Sequence, residues 1–421
     1  MTTAIPVGPR TNPTLDTALT RRITDWLVDQ SLGRPDIVQM FEGVCERIHA
    51  SGTPLARAML TYPTLHPVYD GEAVIWRRCQ DTEFEQYVFN NDGDAWGTSP
   101  FAYMLNTPID LLRRRLSGEN RLIDFPVLQE FADNGLTDYL ALTTGFSMPT
   151  GPYDEDNAGI IVSWASDRAG GFTDDDIAAL IHIQRRFAVA CKTSIQASIA
   201  TNISDTYLGH RPRARVLSGK IRRGDGENIR SVVWYADIRG STALADRMPM
   251  DDYLDLLNAF FECIAGAALD AGGEVLDFIG DAVLAIFPID DQCDLTGAAN
   301  AAIAAVYDAL ARAEASNAER ISKGAAPFSF GIALNAGDVT FGNIGVPQRL
   351  AFTVVGPTVN EVVRVEKLTR VIDTMVLATP TIAALTPDHW ADAGIHTLDG
   401  VGEPMQLSSW SPRTKGTAPD Q

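Results

Sequence analysis

SVVWYADIRGST, residues Ser231–Thr242, and DFIGDAVLAIF, residues Asp277–Phe287, decide how this chain is read. In each stretch a β-rich apolar run breaks sharply at an aspartate, Asp237 in the first and Asp281 in the second. Two carboxylates brought to neighbouring strand ends make a site for a hard cation. A pair of Mg²⁺ or Mn²⁺ ions needs few acidic ligands and leaves the other positions to phosphate oxygens and water, which points to a bound nucleoside triphosphate. The run Arg239-Gly240-Ser241-Thr242 turns into a helical pattern and is the expected phosphate-binding segment, because backbone N–H groups at such a turn cradle phosphates. Taken singly, an Asp at a strand end before a Gly is more often a plain turn.

The rest of the C-terminal half makes the reading specific. GGEVLDFIGDAVLAIF (Gly272–Phe287), FGIALNAGDVTFGNIG (Phe330–Gly345), FTVVGPTVNEVVRVE (Phe352–Glu366) and LDGVGEP (Leu398–Pro404) follow one another in order. From about Ile229 to Trp410 the chain resembles the class III nucleotidyl cyclases, the adenylate and guanylate cyclase catalytic domain. The resemblance implies that Asp237, Asp281 and the Ile238 carbonyl hold two Mg²⁺ or Mn²⁺ ions. It also implies that Asn360 orients the ribose and Arg364 stabilises charge on the α-phosphoryl group. These two stand at i and i+4 on one helical face, where an amide can fix a ribose oxygen and a guanidinium can meet developing negative charge. In the family the metals come from one subunit and the Asn and Arg from the other, so a homodimer with two related sites is expected.

Two positions depart from the adenylate-specific pattern. Where that pattern has a Lys before the IGD motif and an Asp or Thr before GxTVN, this chain has Asp277 and Thr353. A Lys donates to adenine N1, whereas a carboxylate only accepts, which suits guanine or cytosine N–H groups. ATP is the substrate by family and another base by this residue. In LDGVGEP the phosphate-contacting Lys or Arg of the family is replaced by Asp399. A catalytically silent nucleotide-binding module is therefore the alternative from another class. A diguanylate cyclase is set aside, because Gly272-Gly273-Glu274 is followed by Val275-Leu276 and not by the acidic-phenylalanine pair of that signature.

At 421 residues the chain suits two domains, with an ordinary 45% hydrophobic content. A formal charge of −20 argues against nucleic acid or an anionic membrane as partner. No apolar run approaches the roughly 20 residues of a membrane helix, and MTTAIPVGPRTNPT lacks a signal-peptide core, so a cytoplasmic protein is expected. Cys45, Cys79, Cys191, Cys263 and Cys293 are scattered and read as buried thiols in a reducing compartment.

The N-terminal half has helical patterns at Leu15–Leu32 and Pro35–Ala50. Strand-like runs follow at Leu55–Tyr62, Ala73–Arg77, from Asp138 and from Gly159, with a short helix at Phe125. Helices around an antiparallel sheet suggest an α+β sensor of GAF or PAS type. Trp76, Trp96, Tyr139 and Trp164 read as core residues more readily than as the lining of a small-molecule pocket. Thr173 and Asp176 form an acidic capping box opening a helix that runs to about Tyr207. That helix either pairs with its copy in a dimer or packs as the last helix of the sensor. The basic stretch from His210 reads as a solvated linker before phosphate contact.

The fold expected is α+β. It comprises a tail and helix over 1–30, a GAF-like sensor over 31–172, and a linker helix with basic connector over 173–228. A ferredoxin-like βαββαβ cyclase domain follows over 229–412, its helices on one face of the sheet, and a disordered tail over 413–421.

Overall fold

Alternation along Val232–Ile238 sends Val232, Trp234, Ala236 and Ile238 to one side of a strand and Val233 and Tyr235 to the other, and all of them are buried. Both faces of this strand must therefore be covered, and the sheet around it is built accordingly. The computed structural model describes residues 18–33, 36–88, 96–107, 109–147, 159–289 and 293–411. Residues 1–17 of the expected N-terminal tail and helix, and the tail expected at 413–421, lie outside the described residues. The chain divides into two compact units, 1–206 and 207–421.

The first unit contains helices α1 (Ala18–Leu32) and α2 (Ile37–Ala50), strands β1 (Arg57–Pro63), β2 (Tyr69–Arg77) and β3 (Glu83–Val88), and helix α3 (Pro100–Asn106). Strand β4 (Leu111–Arg115), helix α4 (Pro126–Asp133), strands β5 (Asp138–Gly145) and β6 (Gly159–Ser166), and helix α5 (Asp174–Leu208) complete it. The strands form one antiparallel sheet in the order β3-β2-β1-β6-β5-β4. On one face Ile23, Leu27, Phe41, Leu180 and Phe187 of α1, α2 and α5 pack on Leu60, Trp76 and Trp164. On the other face Phe101, Met104 and Leu128 of α3 and α4 pack on Tyr139 and Ile161. Trp76 and Trp164 thus belong to one core and Tyr139 to the opposite one, while Trp96 is exposed, so the four aromatics do not assemble one pocket.

The capping box that opens α5 is formed as expected. The Thr173 N–H donates to Asp176 Oδ2 at 2.8 Å and the Asp176 N–H donates to Thr173 Oγ1 at 3.1 Å. Beneath it lies Asp138, fully buried and accepting from Arg113 at 2.8 Å and from the Phe172 N–H at 2.9 Å, with Arg115 3.2 Å away. The carboxylate joins β4, β5 and the turn into α5, and its removal would leave two guanidiniums facing a void. Asp138→Ala is expected to cost roughly 3–5 kcal/mol, as loss of one partner from a buried pair does. Chemical denaturation of the full chain would show this as an early transition, and an unchanged curve would contradict it.

The second unit opens with helix α6 (His210–Leu217) and strand β7 (Gly226–Ile238), followed by helices α7 (Ser241–Arg247) and α8 (Met250–Asp270). Strands β8 (Glu274–Ile279) and β9 (Ala282–Pro288), helix α9 (Leu295–Ser322), strands β10 (Phe330–Val346) and β11 (Arg349–Val355), and helix α10 (Pro357–Ile372) come next. Strand β12 (Val376–Ala378), helix α11 (Pro380–Leu385) and strands β13 (Trp390–His396) and β14 (Met405–Trp410) close the unit. The sheet runs β13-β14-β12-β10-β7-β9-β8, with β11 paired to β10. Its segment β10-β7-β9-β8, with α8 and α9 as crossovers, is the ferredoxin-like βαββαβ arrangement.

Three expectations need correction. Helices cover both faces of this sheet: Phe260, Ile264 and Val306 of α8 and α9 pack on Trp234, while Val362 and Val365 of α10 pack on Val233 and Tyr235. The basic stretch from His210 is not a solvated linker, because Arg211 pairs with Glu274, Arg215 pairs with Glu227, and Val216 joins the α10-side core. The thiols of Cys45, Cys191 and Cys263 are buried, but Cys79 is exposed and Cys293 is partly exposed.

Candidate active site

Strand β7 pairs antiparallel with β9 so that Asp237 stands opposite Ala282, the residue after Asp281. The β8–β9 turn needs Gly280 at φ 66°, a left-handed conformation that costs a glycine little, and the turn delivers Asp281 beside Asp237. Register alone therefore brings the two carboxylates together. Burial is the largest cause that pushes Asp237 up to about 7, followed by the hydrogen bond and charge of Asp281 and the charge of Glu366, with Arg370 opposing. One oxygen, Asp237 Oδ1, is buried and has no hydrogen-bond partner.

An orphaned buried carboxylate oxygen beside a second carboxylate is the chemistry of a cation ligand. Asp237, Asp281 and the Ile238 carbonyl supply hard oxygens suited to Mg²⁺ or Mn²⁺. Among the described residues no cluster of three or more His, Cys, Asp or Glu side chains is arranged for a metal. The protein thus offers a partial shell that suits ions shared with phosphate.

Past Asp237 the chain turns at Gly240, φ 73°, into α7, whose first-turn N–H groups, including those of Ser241 and Thr242, have no intrahelical acceptor. Arg239 departs from the phosphate-binding expectation. Its main-chain N–H donates to the Ser329 carbonyl at 2.8 Å, and its guanidinium donates to the Thr369 and Thr374 carbonyls at 3.2 and 2.5 Å. It caps the C-terminal end of α10, where unpaired carbonyls attract a cation, and is spent there.

Helix α10 carries the other expected residues. Asn360 is exposed and its N–H bonds the Gly356 carbonyl at 3.2 Å. Arg364 lies with its guanidinium against Gly400, where an added Cβ would sit 3.3 Å from Nη2. Gly400 has φ 71° in the LDGVGEP turn, closed by the Val401 N–H on the Leu398 carbonyl at 3.0 Å, and Asp399 beside it is exposed. Along a helix rising about 1.5 Å per residue, Arg364 is about 9 Å and Asn360 about 15 Å from Arg370. It is Arg370 that touches the Asp237 end of β7, donating to the Ile238 carbonyl at 3.0 Å with Asp237 Oδ2 3.6 Å away. Within one chain, then, the structure unites Asp237, Ile238 and Asp281 and holds Asn360 and Arg364 apart from them.

Asp277 is exposed on β8 at an irregularity of the β8–β9 ladder, and Thr353 is half-buried on β11 opposite Gly342. Strand β8, which carries Asp277, touches β11, which carries Thr353. Glu366 and Arg370 were missed from sequence. Glu366 is buried, accepts from the Thr369 hydroxyl at 3.3 Å, and is held above the usual carboxylate range chiefly by burial, against the pull of Arg370. Gly331 permits this approach, since a Cβ there would stand 2.5 Å from Glu366 Oε1. The i, i+4 spacing of Glu366 and Arg370 after Arg364 was the available signal.

Residues 227–394 match the family model described as the adenylate and guanylate cyclase catalytic domain. An uncharacterized protein of Mycobacterium tuberculosis (strain CDC 1551 / Oshkosh) is 34% identical over 196 residues, covering 46% of this chain and 33% of that protein. An adenylate cyclase of Anabaena cylindrica is 31% identical over 163 residues, covering 38% of this chain and 32% of that protein. The chain spans about a third of the length of these curated relatives. Among solved structures, the adenylyl cyclase CyaB from P. aeruginosa aligns at 25% identity and a TM-score of 0.40, covering 46% of this chain and 99% of that one. The guanylyl cyclase Cya2 aligns at 24% and 0.40, covering 45% and 95%. The stretch that matches the adenylate and guanylate cyclase catalytic domain model holds the Asp237–Asp281 pair and the Asn360–Arg364 helix.

Proposed function

We propose that the protein is a nucleotidyl cyclase that converts a nucleoside triphosphate, ATP by family, into the 3′,5′-cyclic monophosphate and pyrophosphate in a homodimer. The observation that carries this reading is the paired Asp237 and Asp281 with an orphaned buried oxygen, on a chain whose Asn360 and Arg364 stand elsewhere. Two Mg²⁺ or Mn²⁺ ions, when bound, supply Lewis-acid charge to the 3′-hydroxyl and to the leaving phosphates. Asp237 and Asp281 fix where that charge sits. The N–H groups of Gly240, Ser241 and Thr242 hold phosphate oxygens at the start of α7. The partner's copy of helix α10 presents an amide to orient the ribose and a guanidinium to meet negative charge at the α-phosphoryl group.

In the same reading the N-terminal unit is a GAF-like sensor, with α5 leading from it and a small molecule as its ligand. The protein acts in the cytoplasm, where the buried, unpaired thiols of Cys45, Cys191 and Cys263 stay reduced. Among the described residues no helix is long and apolar enough to cross a membrane.

Base choice rests on Asp277 and Thr353. The exposure of Asp277 leaves its carboxylate free to accept from guanine or cytosine, which favours a second reading, a cyclase for another base. Incubating the protein with each of the four ribonucleoside triphosphates and Mn²⁺, and identifying products by mass, tests the cyclase reading. Absence of any cyclic product would leave a silent nucleotide-binding module. Asp277→Lys is expected to raise the ATP-to-GTP ratio of kcat/KM by about tenfold or more, as a hydrogen-bond mismatch at a reading position does. An unchanged ranking of the four substrates would mean that Asp277 does not read the base.

A further inference from the structure

Three carboxylates, Asp237, Asp281 and Glu366, gather at the end of β7 with two guanidiniums, Arg239 and Arg370. The two arginines are not equivalent. Arg239 is locked by two carbonyls at the end of α10, and its main-chain N–H is bonded to the Ser329 carbonyl. Among the described residues Arg370 bonds a single carbonyl and makes one 3.6 Å ion pair, with Glu366 adding only its charge, and 46% of its side chain is exposed. Among the described residues the one carbonyl its guanidinium bonds is that of Ile238, the same oxygen assigned above to a cation, and its ion-pair partner is Asp237.

We propose that Arg370 is a placeholder cation: in the metal-free protein its guanidinium occupies the Asp237–Ile238 oxygens, and it must swing toward solvent for a divalent ion to bind. The inference rests on the assignment of these oxygens to a metal. Its physical basis is competition for the same electron pairs. A planar guanidinium satisfies carbonyl and carboxylate oxygens without needing a closed shell, so it keeps the carboxylates from facing one another bare. A divalent ion brings twice the charge into the same space, and a guanidinium left beside it would be repelled. The exposed side of Arg370 gives it a route out, and Asp237 Oδ1, which Arg370 does not reach, stays available for the first contact with the ion. Arg370 is therefore a positioning residue that sets metal affinity and does not touch substrate.

The test is a Mn²⁺ titration of the full-length protein without nucleotide, reading free Mn²⁺ by electron paramagnetic resonance. Arg370→Gln is expected to tighten Mn²⁺ binding by about three- to tenfold, the worth of one partly exposed charged contact. Arg370→Met, which keeps much of the apolar stem, should do the same and guards against a packing defect. Lys367→Gln is the control, since it removes one positive charge from an exposed position of the same helix, one turn away. Unchanged affinity in both Arg370 variants, or equal tightening in Lys367→Gln, overturns the proposal and leaves only a general field. Asp237→Asn separates the two levels: if it binds Mn²⁺ as tightly as the parent protein, the metal assignment itself fails and the placeholder role falls with it.

Discussion

Cyclase turnover in Asp237→Ala is expected to fall roughly a hundred- to a thousandfold or more, the scale of losing a principal electrostatic contributor, and Asp281→Ala should match it. Each substitution strips a charged ligand from the cation pair and deletes no apolar core, so the loss should appear in kcat and metal dependence with the thermal midpoint preserved. Stability is not expected to suffer, because burial and the neighbouring Asp281 raise Asp237 to about 7, and removing one of two crowded carboxylates relieves that conflict. Product formation measured against Mn²⁺ concentration, together with a melting curve, makes the check. Near-parental activity with full metal dependence in either variant would remove the two-metal assignment.

Mixing two dead proteins should restore activity. If Asp237 and Arg364 serve one site from different subunits, a heterodimer of Asp237→Ala and Arg364→Ala chains contains one site with both residues intact and one with neither. Random exchange of equal amounts makes half of the dimers mixed, each with one working site, so about a quarter of parental activity is expected. The separation along α10 motivates this: Arg364 lies against Gly400, while Arg370 at the other end of the helix reaches Ile238. Continued inactivity after subunit exchange is shown by mass would mean that each chain assembles its own site.

What could be read from sequence was what local pattern determines. Strand β7 and the β8–β9 hairpin are set by alternation and by Gly280, and so the Asp237–Asp281 pair was visible before any coordinates. The Thr173–Asp176 capping box is equally local. The misreadings came from contacts made across the chain. Arg239 looked like a phosphate ligand because nothing near it in sequence shows the carbonyls of Thr369 and Thr374, some 130 positions later. Arg211 and Arg215 looked solvated because Glu274 and Glu227 are brought to them by the sheet. Asn335-Ala336-Gly337-Asp338 resembles a turn, yet β10 runs straight through it. Its pairing with β7 continues from Phe330 to Gly342, and Asn335 is bonded to the Thr358 carbonyl, to Glu361 and to Thr379.

Helix α10 has a consequence for the proposed homodimer as a whole. In the proposed homodimer one end would present Asn360 and Arg364 to the partner's substrate, and the other carries Glu366 and Arg370 beside its own chain's Asp237. A helix of sixteen residues with its inner face in the core behaves as a rod, so a shift at one end is felt at the other. In the proposed homodimer, release of Arg370 by metal at one site would adjust the pose of Arg364 at the second. The two sites would then communicate, and metal-activation curves would bend away from simple saturation, with a Hill coefficient that Arg370→Gln returns toward unity.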